Sequence, residues 1–219
     1  MTLDDGQSGT PKQDSAAGKN ALPIIYLARH GETAWTITGQ HTGVTDLPLT
    51  EHGEANARAL GERLRGLRFA RVFSSPLQRA RRTCELAGFA TETEVDADLM
   101  EWNYGEYEGR LMSEILAVRP GWQLFRDGCP GGESPEQIGA RARRFLARAR
   151  NIQGDVLVFS SSHFLRVFAG EWLGIGVAGG KCLLLSTASV STLGYEHNLS
   201  QPAISLWNDT AHLNKGELK

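Results

Sequence analysis

Three groups of polar residues directly follow apolar runs, and each group contains a side chain that can take part in chemistry. Arg29 and His30 follow "IIYLA", Arg79 lies in "SSPLQR" after "ARVF", and "SSSH", residues 160–163, follows "DVLVF". An imidazole such as that of His30 can serve as a base, a metal ligand or a nucleophile. From position alone, a capped surface turn with incidental charges explains "RHG" about equally well.

Strands must bring these groups together. The apolar runs "PIIYLA", "ARVFSS" and "DVLVFS" predict buried strands, "TEVDADL" predicts a short one, and "ASVSTLGYEHNLSQPAISLWN" predicts two strands around a turn. Strands that alternate with helical patterns indicate an α/β fold, a three-layer α/β/α sandwich with a mostly parallel central sheet. Active sites in such sheets lie beyond the carboxyl ends of the strands, where all three polar groups occur.

Capping residues and apolar spacing predict the helices. The first helix is capped by Thr50 and has Leu60, Leu64 and Leu67 on one face, and the second is capped by Ser75, with Pro76 at its first position and Gly88 near its end. The third is opened in capping-box form by Ser134, Pro135 and Gln137, and the fourth runs from about His163 to Leu173. Between them, residues 101–132 are rich in glycine and aromatic residues and predict irregular chain with one short helix near Ser113.

Composition restricts the class of protein. The chain has 219 residues and a net charge of −2, which argues against general binding to nucleic acids or anionic membranes, and no apolar run reaches the ~18 residues of a membrane span. We expect a disordered tail at residues 1–20, a single domain at 21–210 and a C-terminal tail at 211–219. Three widely spaced cysteines, Cys84, Cys129 and Cys182, favour reduced thiols in a cytoplasmic protein. The sequence leaves a homo-oligomer open.

Several motifs, in order along the chain, resemble those of the histidine phosphatase superfamily, the phosphoglycerate mutase-like proteins. They are "RHGET", "GQHTGVTDLPLTEHGEANA", "SSPLQRARRT", "EWNYGEYEG" and "GCPGGES", which together extend from Ile24 to about Trp207. The pattern is most similar to the branch that includes yeast-type sedoheptulose-1,7-bisphosphatases and mycobacterial acid phosphatases. The resemblance implies a phosphoglycerate mutase-like fold and a phosphatase that acts on a small phosphorylated metabolite, with sugar phosphates as one candidate class.

The resemblance also implies catalytic roles. His30 would attack phosphorus and carry a phosphohistidine, and Arg29 and Arg79 would bind the phosphoryl oxygens with planar forks. Arg79 would lie near a helix amino terminus, where the dipole also attracts phosphate, whereas Arg81 and Arg82 would lie on an exposed face. Glu101 would be the general acid and base, which requires a raised pKa in apolar surroundings. A glutamate alone is usually a solvated surface carboxylate, so this role depends on "EWNYGEYEG".

Substrate contacts follow from the same resemblance. Those expected are Thr36, His41, Thr42, Tyr104, Ser162, His163, Arg166 and His197. Thr36 stands where many relatives have asparagine, and a histidine such as His197 would otherwise be an ordinary strand residue. No cofactor and no metal are expected, because the sequence has no cluster with metal-ligand spacing, no Walker A loop and no HExxH motif. No cysteine is followed six residues later by the arginine that a cysteine phosphatase requires.

One position departs from the family pattern. Alignment on "FLR" places Ser161 where the superfamily has its second catalytic histidine, Ser162 where it has glycine, and His163 two residues later. Loss of a preorganised donor typically costs ~10²–10³ in rate, and Ser161 brings a hydrogen bond without charge. Three alternatives follow: an enzyme with a weakened pocket, an enzyme in which His163 substitutes, or a phosphate-ester-binding protein without turnover. Mutase activity is a further, weaker alternative.

Overall fold

A six-stranded sheet forms the centre of the protein, which is described here by a computed structural model of residues 22–213. The predicted tail at 1–20 and residues 214–219 of the predicted C-terminal tail lie outside the described residues. The strands are β1 (Ile25–Arg29), β2 (Arg71–Ser74), β3 (Thr93–Val95), β4 (Val156–Ser160), β5 (Val190–Tyr195) and β6 (Pro202–Asp209). Their order is β3-β2-β4-β1-β5-β6, with β1 to β4 parallel to one another, β5 antiparallel to β1, and β6 antiparallel to β5. The mostly parallel sheet is therefore confirmed.

Helices cover both faces of this sheet. They are α1 (Ala34–Thr38), α2 (Glu51–Leu64), α3 (Gln78–Leu86), α4 (Met112–Val118), α5 (Leu124–Asp127), α6 (Pro135–Ala149), α7 (Ser162–Trp172) and α8 (Gly176–Gly179). Leu157 and Phe159 of β4 pack with residues of α2 and α3, whereas Val156 and Val158 pack with residues of α6 and α7. Successive residues of a strand point to opposite faces of the sheet, so the residues on both faces of β4 must be apolar. The three-layer prediction is therefore confirmed.

Two predicted helix starts are correct, a third differs by one residue, and other predicted ends are wrong. Thr50 caps α2 and the capping box at Ser134 opens α6, as predicted, whereas α7 begins at Ser162, one residue early. However, α2 ends at Leu64, so Leu67 is exposed beyond it. Residues 101–132 contain two short α-helices, α4 and α5, and a 3₁₀ helix at Gly105–Tyr107, rather than one short helix.

The start of α3 is a further correction. Helix α3 begins at Gln78 with Leu77 at its N-cap, so neither Ser75 nor Pro76 opens it. The backbone N–H of Gln78 donates instead to Asp46 Oδ1 over 2.7 Å, and this carboxylate belongs to a loop 32 residues earlier. A tertiary contact therefore sets the helix start, which local capping preferences do not register.

Two features of the described chain bear on its class. No helix within residues 22–213 is long and apolar enough to cross a bilayer. The three cysteines are free thiols, with Cys84 and Cys129 buried and Cys182 exposed.

Candidate active site

The three polar groups identified in the sequence meet at one edge of the sheet. Arg29, the last residue of β1, pairs with Ser160, the last residue of β4. Ser75, just after β2, donates its N–H to the carbonyl of Phe159 over 2.9 Å. Parallel strands end at the same edge, so the chain segments that follow β1, β2 and β4 lie side by side.

His30 is buried at this edge with one ring nitrogen fixed. Its Nδ1 lies 2.7 Å from the carbonyl oxygen of Gly31, which can only accept, so Nδ1 carries the proton and Nε2 keeps a free lone pair. Burial first, and then the charges of Arg79 and Arg29, hold the pKa of His30 well below its usual range. The imidazole is therefore neutral, as a nucleophile must be.

The turn after His30 packs directly on α2. A Cβ built on Gly31 would lie 2.4 Å from the carbonyl oxygen of Gly53, and one on Gly53 would lie 2.2 Å from that of Glu32. The N–H of Gly31 donates to the Thr83 hydroxyl, which in turn donates to the carbonyl of Arg79. Glycine is thus required at both positions, and the turn is tied to the helix that carries Arg79.

Arg29 and Arg79 are each held by carbonyl oxygens on one side. Arg29 donates from Nη1 to Leu185, whereas Arg79 donates to Thr45, Thr42 and Gly43. Burial lowers the pKa of both guanidinium groups, that of Arg29 to about 10. Guanidinium groups remain charged at neutral pH, so the site is electropositive.

Three donors at this edge have no partner. Within residues 22–213, Arg29 Nε, Arg79 Nε and Ser161 Oγ are buried without a hydrogen-bond partner. Buried polar atoms are rarely left unpaired in a folded protein, and such atoms call for a functional or structural explanation. Two cationic forks and a hydroxyl form the donor set that a phosphate group needs.

Carboxylates of the chain itself occupy both nearby helix amino termini. Glu101 accepts hydrogen bonds from the N–H groups of Trp102, His163 and Phe164, over 2.8–3.0 Å, and so caps α7. Asp46 takes the first N–H of α3. At the α3 amino terminus Asp46 competes with phosphate for this first N–H, so phosphate binding by this helix end stays a prediction. The surroundings of Glu101 are also less apolar than expected.

Sequence reasoning missed Arg141, which fixes the backbone around Glu101. This buried side chain donates to the carbonyls of Asp98, Met100 and Glu101 and forms a two-pronged ion pair with Glu133. The signal was present: Arg141 lies three residues after Ile138 and four before Phe145, on the buried face of α6. A charged residue on such a face indicates a buried partner.

His163, Tyr104 and His41 form a cluster beside Glu101. The Tyr104 hydroxyl lies 2.6 Å from His163 Nδ1, and the His41 ring is parallel to that of His163 with centroids 6.5 Å apart. Burial, followed by the charges of Arg166, His41 and Arg29, holds the pKa of His163 well below its usual range. Burial raises the pKa of Tyr104 well above 10. The Tyr104 hydroxyl is engaged with His163, and its direct contact with substrate stays a prediction.

The other expected contacts are placed unequally. Arg166 lies near Glu101 and Tyr104, held by the carbonyls of Gly180 and Lys181. Ser162 is the partly exposed first residue of α7. The Thr42 hydroxyl donates to the carbonyl of Gln40, and the Thr42 carbonyl accepts a hydrogen bond from Arg79. The hydroxyl of Thr36 closes the capping box of α1 with Thr33. Contacts from these residues stay predictions.

The structure does not place His197 where the expected substrate contact requires it. This residue lies in the turn between β5 and β6 and is exposed, 3.6 Å from Glu196. Because β5 is antiparallel to β1, with Ala28 opposite Val190 and Ile25 opposite Leu193, the end of β5 lies at the opposite edge of the sheet. His197 therefore does not belong to the cluster.

A groove of about 490 Å³ elsewhere carries no such chemistry. It runs along α3 and is lined by Arg81, Arg82 and Cys84 among others, but not by Arg29, His30 or Arg79. Arg82 is paired there with Glu54 and Glu85. The predicted surface role of Arg82 is consistent with these pairs.

Comparisons with known proteins agree with the motifs. The family model of the histidine phosphatase superfamily (branch 1) matches residues 25–210. Sedoheptulose 1,7-bisphosphatase of Saccharomyces cerevisiae is 33% identical over 84% of this chain and 92% of the relative. Acid phosphatase of Mycobacterium tuberculosis is 39% identical over 82% and 90%. The solved structure of the Mycobacterium tuberculosis open reading frame Rv3214 superposes with a TM-score of 0.81 at 35% identity, over 85% of this chain and 97% of that one.

Proposed function

The chain belongs to the histidine phosphatase superfamily (branch 1), and from this membership we propose how it acts as a phosphoric monoester hydrolase. His30 Nε2 attacks phosphorus, the bond from phosphorus to the ester oxygen breaks, and Glu101 gives a proton to the departing alkoxide. Glu101 then takes a proton from water, whose oxygen attacks the phosphohistidine and releases phosphate and free His30. The sugar bisphosphatase and acid phosphatase among its relatives favour small phosphate monoesters, sugar phosphates first, as substrates.

The observation that carries this proposal is the state of His30. Its ring is neutral, with Nδ1 bound to a carbonyl and Nε2 free, and the two arginines whose charges act on it, Arg79 and Arg29, have Nε atoms without a partner among residues 22–213. At ~4 Å and an effective dielectric of 20, each arginine–phosphate charge pair contributes about 4 kcal/mol before desolvation. Only the part of this energy that grows in the transition state speeds the reaction.

The test is turnover of a panel of phosphate monoesters in the presence of a metal chelator. We expect phosphate release by the wild type and none by His30→Ala, whereas His197→Ala, which changes a histidine at the opposite edge, serves as the matched control. Phosphohistidine hydrolyses in acid, so the reaction is quenched with alkali and the intermediate is detected by mass spectrometry. Equal rates for wild type and His30→Ala on every ester would refute the proposal, and loss of turnover in chelator would refute its independence of metal.

Ser161 favours a second candidate, a phosphate-ester-binding protein without turnover. Its buried hydroxyl supplies one hydrogen bond and no charge at the family's histidine position. This candidate predicts thermal stabilisation by phosphate esters without release of phosphate. Mutase activity is the weakest alternative, and isomerised product would reveal it. A cytoplasmic location and a homo-oligomer stay predictions from the sequence.

A further inference from the structure

The neighbours of His163 fix where its ring proton lies. The Tyr104 hydroxyl is 2.6 Å from Nδ1, whereas Glu101 Oε2 is 3.9 Å from the same nitrogen, beyond hydrogen-bond distance. Among the described residues, the Tyr104 hydroxyl has no other hydrogen-bond partner, and burial keeps it protonated. It therefore donates to Nδ1, and a neutral His163 must carry its own proton on Nε2.

The charges around the ring favour this neutral form. Arg166, His41 and Arg29 all disfavour a positive His163, whereas Glu101, 3.9 Å from its Nδ1, is an acidic neighbour that favours one. Burial of the ring also disfavours the positive form and is the largest cause. The ring thus has one proton to donate, and it is on the nitrogen that Tyr104 does not use.

The position of the ring indicates what the proton faces. The side chain of His163 is 25% exposed, although its Nδ1 edge is covered by Tyr104. The charge of Arg29, a phosphate-binding candidate, acts on it directly, and Glu101 caps its backbone N–H. The ring therefore lies beside Glu101, two residues after Ser161, the N-cap of α7, whose hydroxyl has no partner among the described residues.

We propose that His163 donates its Nε2–H to a phosphoryl oxygen of the substrate, and that Tyr104 is a positioning residue that selects this tautomer. The proposal rests on the proposed function and deepens it, because it supplies the donor that Ser161 only partly replaces. Tyr104 acts through His163 and does not touch the substrate. The cluster of His163 and Tyr104 thus takes over one contact of the missing histidine, without its positive charge.

The first test reads the tautomer directly. Protein labelled with ¹⁵N in its histidine rings is examined by long-range ¹H–¹⁵N NMR at about pH 7, with the His163 signals identified by their loss in His163→Gln. We expect the neutral Nε2–H form in the wild type and in Tyr107→Phe, which removes the hydroxyl of another buried tyrosine in the same segment. Tyr104→Phe should mix the two tautomers. A charged ring or an Nδ1–H form in the wild type would overturn the proposal.

The second test measures binding of inorganic phosphate by calorimetry. His163→Leu introduces an apolar side chain of similar bulk that has no donor. It should weaken binding ~10-fold or more, as expected for the loss of one hydrogen bond to a charged group. His163→Gln places an amide N–H near the position of Nε2 and should stay within ~3-fold of the wild type. If His163→Leu binds phosphate as tightly as the wild type while turnover still depends on His30, the donor role is wrong and the proposed function stands. If turnover does not depend on His30, the proposed function itself fails.

Discussion

Replacement of Arg141 by methionine should lower both stability and turnover. The side chain is 9% exposed and donates five hydrogen bonds, to three carbonyls and to both oxygens of Glu133. Methionine fills much of the same space but donates none, so the carbonyls of Asp98, Met100 and Glu101 lose this partner and the Glu133 carboxylate loses its counter-charge. Loss of one partner of a buried pair costs about 3–5 kcal/mol.

Urea unfolding measures this loss. The midpoint should fall without a change in the slope m, and the melting temperature should fall by roughly 6–20 °C for a protein of this size. Arg143→Met on the same helix is the matched control, because Arg143 is 56% exposed and its pair with Glu171 is worth at most about 1 kcal/mol. The reasoning is refuted if the two variants lose the same free energy of unfolding.

The kinetic effect of Arg141→Met distinguishes a role in positioning Glu101 from a role in binding phosphate. Arg141 holds the carbonyls of Asp98, Met100 and Glu101, whereas no hydrogen bond links it to Arg29 or Arg79 among the described contacts. In the folded variant, kcat should therefore fall more than KM rises, because the proton donor moves while the phosphate-binding groups stay. A rise in KM at unchanged kcat would contradict this role, since it would indicate loss of binding shared by substrate and transition state.

Three further results are expected. Ser161→His should raise kcat less than ~10-fold, because His163 already donates to phosphate, and a ~100-fold gain in the turnover assay would contradict that view. His30 and His163 have lowered pKa values in the folded state, so the unfolded chain takes up more protons below its own histidine pKa of about 6.5 and stability is lost as pH falls from there. This loss is about 1 kcal/mol for each ring by pH 5.5, and it should shrink in urea unfolding of His30→Gln; an unchanged pH dependence in that variant would argue against a buried neutral His30. His197→Ala should keep kcat/KM within ~2-fold of the wild type, and a larger loss would place this exposed turn near the substrate.

Strands and site residues differed in how well sequence predicts them. The run from Val156 to Ser160 is buried on both faces, so its unbroken apolar pattern identified β4 directly. The start of α3 could not be predicted in this way, because Asp46, far away in sequence, supplies its cap. His197 was misplaced for a related reason: the motif order locates it late in the chain, but only the antiparallel pairing of β5 shows which edge it reaches.

The placement of carboxylates explains why the arginines and His163 matter so much at this site. At two helix amino termini, carboxylates already use backbone donors that phosphate could otherwise bind: Glu101 at α7 and Asp46 at α3. Side-chain donors therefore carry a larger share of phosphate recognition, and the cationic ones have a second effect, since burial first and then the charges of Arg79 and Arg29 keep His30 neutral. A positive second histidine in the pocket would add to the same field. With Ser161 in its place, burial and the charges of Arg79 and Arg29 still keep the nucleophile unprotonated. The binding energy lost must come from a neutral donor, and His163 is the group whose ring proton is held in position to supply it.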